Sequence, residues 1–289
     1  RRRHNPNRLN LLYGDITLSC EDIVIDEATE LQMKGQNLIQ AQTIQRFSVK
    51  QDEKDGHAIS IIDCKEIIKR QISPEYKPLA DTISFLGQPL YHLVLGINPN
   101  GEIAKIVNQE EIYERWNKLK QTKEAQILLA DDVTGETISQ AMDTDYSQTL
   151  KVIKETLRYR LLCPDFWGDQ TLGEVRHRET DLTLSSNFFS SHKIRFLLKE
   201  TFAREDETKG IIVTQEYSSM KEIQKELSGV YNSSLNDYLQ TPMDYGMKIK
   251  CTFHLSGVPL CIQECHCHLQ EKLNDMAVFT NEIHIKYNH

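Results

Sequence analysis

The chain has 289 residues, of which 39% are hydrophobic and 26% are charged, and these proportions are typical of a folded globular protein with a sizeable core. Its 42 acidic residues outnumber its 34 basic residues, and the resulting net charge of -8 at pH 7 disfavours binding to a nucleic-acid phosphate backbone. No apolar run approaches the roughly 20 residues that a membrane-spanning helix needs, so we expect no membrane span.

The cysteines are odd in number and widely spread, which differs from the dense disulfide framework of a small secreted domain. We therefore expect a reducing compartment and a cytoplasmic location. The seven residues are Cys20, Cys64, Cys163, Cys251, Cys261, Cys265 and Cys267.

Turn signals between β-rich runs predict several hairpins in the first half of the chain. Alternating apolar residues between Asp15 and Asp26 predict an N-terminal hairpin. Asp55-Gly56 predicts a second hairpin, because both central residues of the favoured turn need positive φ. A short helix is expected between Ser73 and Phe85, and the Asn98–Gly101 tetrad predicts a third hairpin.

Two helices are predicted in the middle of the chain. The first covers residues 109–120, with Asn108 at the N-cap position and one apolar face to be buried. The second extends from Asp143 to Leu161, because four apolar residues recur at helical spacing before Pro164. This second helix is expected to join two halves of the molecule.

The second half resembles the first in the order of its predicted elements. Arg195–Lys199 echoes Arg46–Lys50, and a strand, a helix and a hairpin follow in both halves. The predicted fold class is therefore α+β, with two similar lobes that each pack a helix on an antiparallel sheet. The expected domains are a lobe at 1–142, a linking helix and loop at 143–170, and a lobe at 171–289.

A group of cysteine and histidine residues near the second predicted hairpin contains zinc-type ligands. Successive side chains on a strand point to opposite faces, so Cys265 and Cys267 are expected on one face and His266 and His268 on the other. A single tetrahedral site cannot use all four. Cys163 ends the second predicted helix, where the helix dipole raises a thiol pKa. We predict no catalytic residue, no cofactor and no bound metal.

Acidic residues are concentrated between residues 131 and 145, and they could steer a basic protein partner. The predicted partner-binding residues are Asp131, Asp132, Glu136, Asp143 and Asp145. The final run, Phe279–Tyr287, alternates apolar and polar residues and is expected to offer an exposed strand edge to the same partner.

Three classes of function stay open at this point. The preferred hypothesis is a non-enzymatic protein-binding module, such as an adaptor, a chaperone-like escort or an immunity-type inhibitor. The first alternative is a carrier of a small ligand or lipid with an apolar pocket. The second is a hydrolase or metal enzyme that uses Cys and His residues near 251–268 and leaves no local sequence motif.

Overall fold

The computed structural model describes residues 7–131, 134–189, 192–205, 210–234, 237 and 240–289. Within these residues the chain forms fourteen strands and seven α-helices. The strands are β1 (Arg8–Leu11), β2 (Ile16–Thr17), β3 (Cys20–Met33), β4 (Gln36–Lys54), β5 (His57–Ile72), β6 (His92–Ile97), β7 (Ile103–Ile106), β8 (Gly168–Thr171), β9 (Val175–Ser185), β10 (Lys193–Arg204), β11 (Ile211–Ser219), β12 (Tyr245–Ser256), β13 (Leu260–Leu273) and β14 (Ala277–Tyr287). The helices are α1 (Lys77–Leu86), α2 (Gln109–Lys120), α3 (Lys123–Leu128), α4 (Thr134–Ser147), α5 (Thr149–Lys154), α6 (Leu157–Leu162) and α7 (Ile223–Ser234), and a 3-10 turn covers Gln88–Tyr91.

Most of the strands belong to one large sheet in the order β7-β6-β5-β4-β3-β14-β13-β12-β11-β10-β9, with antiparallel pairing between all neighbours in this series. The short strand β2 pairs in parallel with β13, and β1 and β8 form a separate two-stranded ribbon. Strands from both predicted lobes thus lie side by side, and β14 and β3 are the neighbours at which the halves meet.

The sheet bends around the segment between α6 and β8, residues 163–167, which we call the core segment. Phe166 makes an edge-to-face contact with Phe202 on β10, and the Cys163 thiol lies 3.9 Å from the Ser60 hydroxyl on β5. In a flat sheet these two strands, seven steps apart in the strand order, would be separated by about 34 Å. The face that curls inward, here called the inner face, therefore packs on this segment to form the core.

The Asn98–Gly101 turn presses on the same core segment. Gly101 has a φ of +83°, and an added Cβ would lie 2.0 Å from the Trp167 indole. Glycine is therefore required at this position both for its backbone conformation and for the close approach of the ring.

Several local predictions agree with this architecture. Helix α2 covers the predicted residues 109–120, and hairpins form at Asp55-Gly56 and between β6 and β7. The side chain of Asn108 does not cap α2, because it bonds instead to the backbone of Val94 and His92 on β6. The mixed α and β class with a large antiparallel sheet is confirmed, whereas the duplication into two similar lobes is not. The domain division at 142 and 170 stays a prediction.

The prediction of one linking helix from Asp143 to Leu161 is wrong. The segment contains the end of α4, then α5 and α6, and it changes direction at Gln148 and Thr156. The prediction used only the apolar residues at every third or fourth position, which would form one buried face of a helix. Tyr159 and Leu162 lie outside these positions and are buried as well. Breaks in the helix allow more sides of this segment to face the surrounding sheet than one straight helix would.

The predictions about strand partners at both ends of the chain are also wrong. No hairpin forms between Asp15 and Asp26, because Ile16–Thr17 pairs with β13 while β3 pairs with β14 and β4. The run Phe279–Tyr287 is not an edge, because β14 lies between β13 and β3. Alternation within a strand indicates which face is buried, and Ile283 and Ile285 are indeed buried, but it does not identify the neighbouring strands.

Candidate functional site

A groove of about 400 Å³ opens on the inner face of the sheet, beyond the part that is covered by the core segment. Strands β4 and β5 form its floor, α1 and the following turn form one wall, and α6 forms the other wall. Apolar side chains from the floor and the α1 wall line much of it, namely Phe47, Ile67, Ile72, Ile83 and Leu90.

Part of this apolar lining is left open to solvent. Ile67 on β5 is 38% exposed and Ile83 on α1 is 56% exposed, although both are large apolar residues. Tyr76, which precedes α1, and Leu79 within α1 are also exposed, although they do not line the groove itself. An exposed apolar patch at a groove is a recurrent feature of binding surfaces.

Arg158 on α6 lines this groove and is paired with Glu27 on β3. Its Nη2 donates to the Glu27 carboxylate at 2.6 Å, and its guanidinium lies 5.8 Å from the centre of the Phe47 ring. Burial disfavours the charged form of Glu27, yet Arg158 and the amide of Asn281 hold the pKa of that carboxyl below its ordinary value. The Arg158 Nε is buried and has no hydrogen-bond partner in the described structure.

A second arginine reaches the groove from β5. The Arg70 guanidinium bonds to Asp81 at 2.8 Å and thereby ties α1 to the sheet. Burial raises the pKa of the Tyr91 phenol and that of the Tyr159 phenol, so both stay protonated at neutral pH. Burial likewise raises the pKa of the Cys64 thiol. The groove therefore combines an apolar surface with cationic and neutral hydrogen-bond donors.

The predicted acidic partner-binding residues do not form a single free loop. Asp132 lies outside the described residues, Asp131 lies after α3, and Glu136, Asp143 and Asp145 are on α4. Asp143 accepts bonds from Lys120 and Trp116, each at 2.7 Å, and the Lys120 bond lowers the pKa of that carboxyl. Partial burial raises the pKa of Asp145. Asp131 and Glu136 are exposed, and Glu136 accepts a hydrogen bond from Gln140 at 3.2 Å.

The cysteine and histidine group is divided between the two faces of the sheet. Cys265 and Cys267 are buried on the inner face, where Cys267 contacts Cys251. His266 and His268 lie on the outer face and both bond to Glu282. In the described part of the chain, no group of three or more His, Cys, Asp or Glu side chains is arranged to hold a metal ion.

Cys163 lies in the core, where burial raises the pKa of its thiol to about 12. A thiol that stays protonated at neutral pH is a poor nucleophile. Cys163 is therefore an inert thiol at neutral pH.

A buried ionic network lies at the opposite side of the core segment. Glu200 is fully buried and accepts bonds from Arg176, Arg178 and Gln215 at 2.7, 3.2 and 2.7 Å. Arg178 also bonds to Asp165, which joins this network to the core segment. Because these charges compensate one another, we assign the network a structural role.

The sequence analysis did not detect the groove or Arg158. In the sequence Arg158 lies between Leu157 and Tyr159, both of which are buried. A basic residue between two such residues is the one local signal that could have indicated a functional arginine. The partner of Arg158, Glu27, is 131 residues away. The remaining lining comes from distant segments that only the sheet topology brings together.

No protein-family model matches the chain, and no curated protein matches it. The chain is similar to a solved structure of lipovitellin, described as "Lipid-protein interactions in lipovitellin", with a TM-score of 0.52 and 5% sequence identity. The likeness covers 99% of this chain and 25% of that chain, and at this identity it concerns the fold alone. None of the helices in the described residues has the length and hydrophobicity that a membrane crossing requires.

Proposed function

We propose that this chain is a non-enzymatic binding module that holds a small amphipathic molecule in the inner groove. The observation that carries the proposal is the groove itself, where exposed Ile67 and Ile83 face a cavity of about 400 Å³. This volume lies near the lower end of the range of roughly 300–1,000 Å³ that is typical of small-molecule sites. A ligand with a single apolar chain suits it better than one with several chains.

The apolar part of the groove gives a quantitative expectation for affinity. Burying one methylene group contributes about 0.8 kcal/mol, which corresponds to about a fourfold change in the dissociation constant. Affinity should therefore rise with chain length and then level off when the groove is full. The lipovitellin structure supports this ligand class in so far as its description concerns lipid–protein interactions.

Titration calorimetry with a series of single-chain carboxylates of increasing length tests this proposal. Ile83→Asp should weaken binding by about tenfold or more, because it places a charge on the apolar wall. Ile127→Asp is the matched control, since Ile127 is an isoleucine 66% exposed on helix α3, and it should bind as the natural chain does. An absence of binding throughout the series, or equal effects of both substitutions, would contradict the proposal.

Binding of a protein partner is a second candidate function, favoured by the edge strand β9. This strand is eleven residues long and pairs with β10 alone in the described sheet, so a partner strand could extend the sheet there. The carboxyls of Asp131 and Glu136 would steer a basic partner. Charge reversal at both positions should then slow association with a captured partner at low salt, and an unchanged rate would exclude their participation.

A further inference from the structure

We infer that the ligand of the groove carries an acidic headgroup and that Arg158 determines this specificity. The inference rests on the proposed function, because it assigns the headgroup of a ligand in the same groove. It concerns a single-chain carboxylate in preference to the neutral alcohol of the same length.

The hydrogen bonding of Arg158 is incomplete. A guanidinium has five N–H donors, and here one nitrogen, Nη2, bonds to Glu27, while Nε is buried without a partner in the described structure. Nε itself is closed to solvent, so an acceptor from a ligand would bond to the other nitrogens of the guanidinium. One quarter of the Arg158 side-chain surface stays exposed and the side chain lines the groove, which leaves room for such a bond.

The charges around the groove favour an anion over a cation or a neutral group. Among the described residues that line it, Arg70 and Arg158 are charged and neither Asp nor Glu is present. Each arginine is paired with a carboxylate just outside the lining, Arg70 with Asp81 and Arg158 with Glu27, so the preference rests on the cationic donors that face the groove and not on a net positive charge.

Tyr91 and Tyr159 add phenol groups, which can donate hydrogen bonds. The apolar floor next to Arg158, including Phe47, weakens competition from water for any bond that forms there. A carboxylate fits the planar fork of a guanidinium through two parallel bonds.

The test compares decanoate with 1-decanol by titration calorimetry at pH 8, where the acid is ionised. The natural chain should bind decanoate at least about tenfold more tightly, because charge-assisted bonds are stronger than neutral ones. The double substitution Arg158→Met with Glu27→Gln removes the cation without leaving a buried carboxylate unpaired. It should abolish the preference while 1-decanol binding is retained.

The pair Arg195 and Glu226 supplies a control, since it is another arginine–glutamate ion pair and lies outside the groove. Arg195→Met with Glu226→Gln should keep the preference for decanoate. Equal binding of decanoate and 1-decanol to the natural chain would overturn the headgroup inference and leave the proposed function intact. Failure of both compounds to bind would instead contradict the proposed function.

A measurement on the natural chain covers the case in which the double variant does not fold. Decanoate labelled with ¹³C at the carboxyl carbon should show a bound signal whose pKa is lower than that of the free acid, because a guanidinium stabilises the ionised form. An unchanged or raised carboxyl pKa in the complex would contradict a contact with Arg158. Titration calorimetry with decyl phosphate distinguishes a carboxylate site from a general anion site. Tighter binding of decyl phosphate than of decanoate would overturn the assignment to a carboxylate.

Discussion

Two regions of the same sheet differ in how much of their surface is buried. The first region is β10 and β12, and the second is residues 36–44 of β4 with residues 63–72 of β5. On β10 and β12 nearly every second side chain is buried against the core segment. In contrast, none of the residues 36–44 of β4 or 63–72 of β5 is buried, although this part of β4 pairs with β3 and, from Ala41 onward, with β5. Backbone pairing alone therefore does not close a core. The part of the sheet that extends beyond its cover is where the groove forms.

The largest expected effect is a difference in the free energy of unfolding between substitutions of one apolar side chain in each region. Phe253→Ala on β12 should lower the free energy of unfolding by about 3–5 kcal/mol, because the fully buried ring contacts Phe166 and would leave a cavity. Ile67→Ala in the open region should cost less than about 1 kcal/mol. Urea denaturation of both variants checks this difference, and similar losses would show that the groove region is packed as tightly as the core.

The buried network around Glu200 should be the next most sensitive feature. Glu200→Ala is expected to lower the free energy of unfolding by about 3 kcal/mol, because Arg176 loses its carboxylate partner and Arg178 keeps only Asp165. Glu216→Ala, which removes an exposed partner of Lys199, should cost about 0–1 kcal/mol. Chemical denaturation at neutral pH compares the two, and an equally small loss for Glu200→Ala would show that its charges contribute little.

Two turn glycines provide a finer comparison. Gly101→Ala should lower the free energy of unfolding by about 2 kcal/mol, through positive-φ strain and displacement of Trp167. Gly35→Ala has a similar φ of +77° but no atom within 4 Å of the new Cβ, so strain alone should cost about 1 kcal/mol. Tryptophan fluorescence should change in the first variant and not in the second. A larger loss at Gly35 would contradict the close approach of the ring.

The smallest effect concerns the acid stability of the ion pair between Glu27 and Arg158, beside the groove. Because the folded-state pKa of Glu27 is lowered, its stabilising contribution is complete above the ordinary pKa of a glutamate and disappears as the pH falls through the lowered value. Glu27→Gln should therefore lose less stability than the natural chain between neutral pH and pH 3. Glu53→Gln, at an exposed position on β4, is the control substitution of the same kind. Parallel curves for all three proteins would contradict the linkage.

Local signals in the sequence predict the local parts of this fold. The boundaries of α2 follow from apolar spacing, and the turns at Asp55-Gly56 and Asn98–Gly101 follow from turn residues; both signals act over a few neighbouring residues. Capping is not part of this success, because Asn108 does not cap α2. The same reasoning places Cys265 and His266 on opposite faces of β13. These features need no knowledge of the rest of the chain.

The candidate site depends on contacts that such signals do not contain. The ion pair of Arg158 and Glu27 joins residues far apart in the chain, and Ile67 meets Ile83 in one groove because α1 folds back over the sheet. The break of the predicted linking helix at Thr156 likewise results from the surrounding sheet, since tertiary burial outweighs helical spacing there. Sequence reasoning therefore located several local elements, such as α2 and two hairpins, but not the surface that the sheet and helices enclose.

The central position of β14 has a consequence for folding during synthesis. Strand β3 obtains its second neighbour only when residues 277–287 are available, and these leave the ribosome long after β3 itself. Until then one edge of β3 is unpaired and open to another chain. Pairings of such high sequence separation form slowly, so chaperone binding to the nascent first half should shorten the period in which it can aggregate.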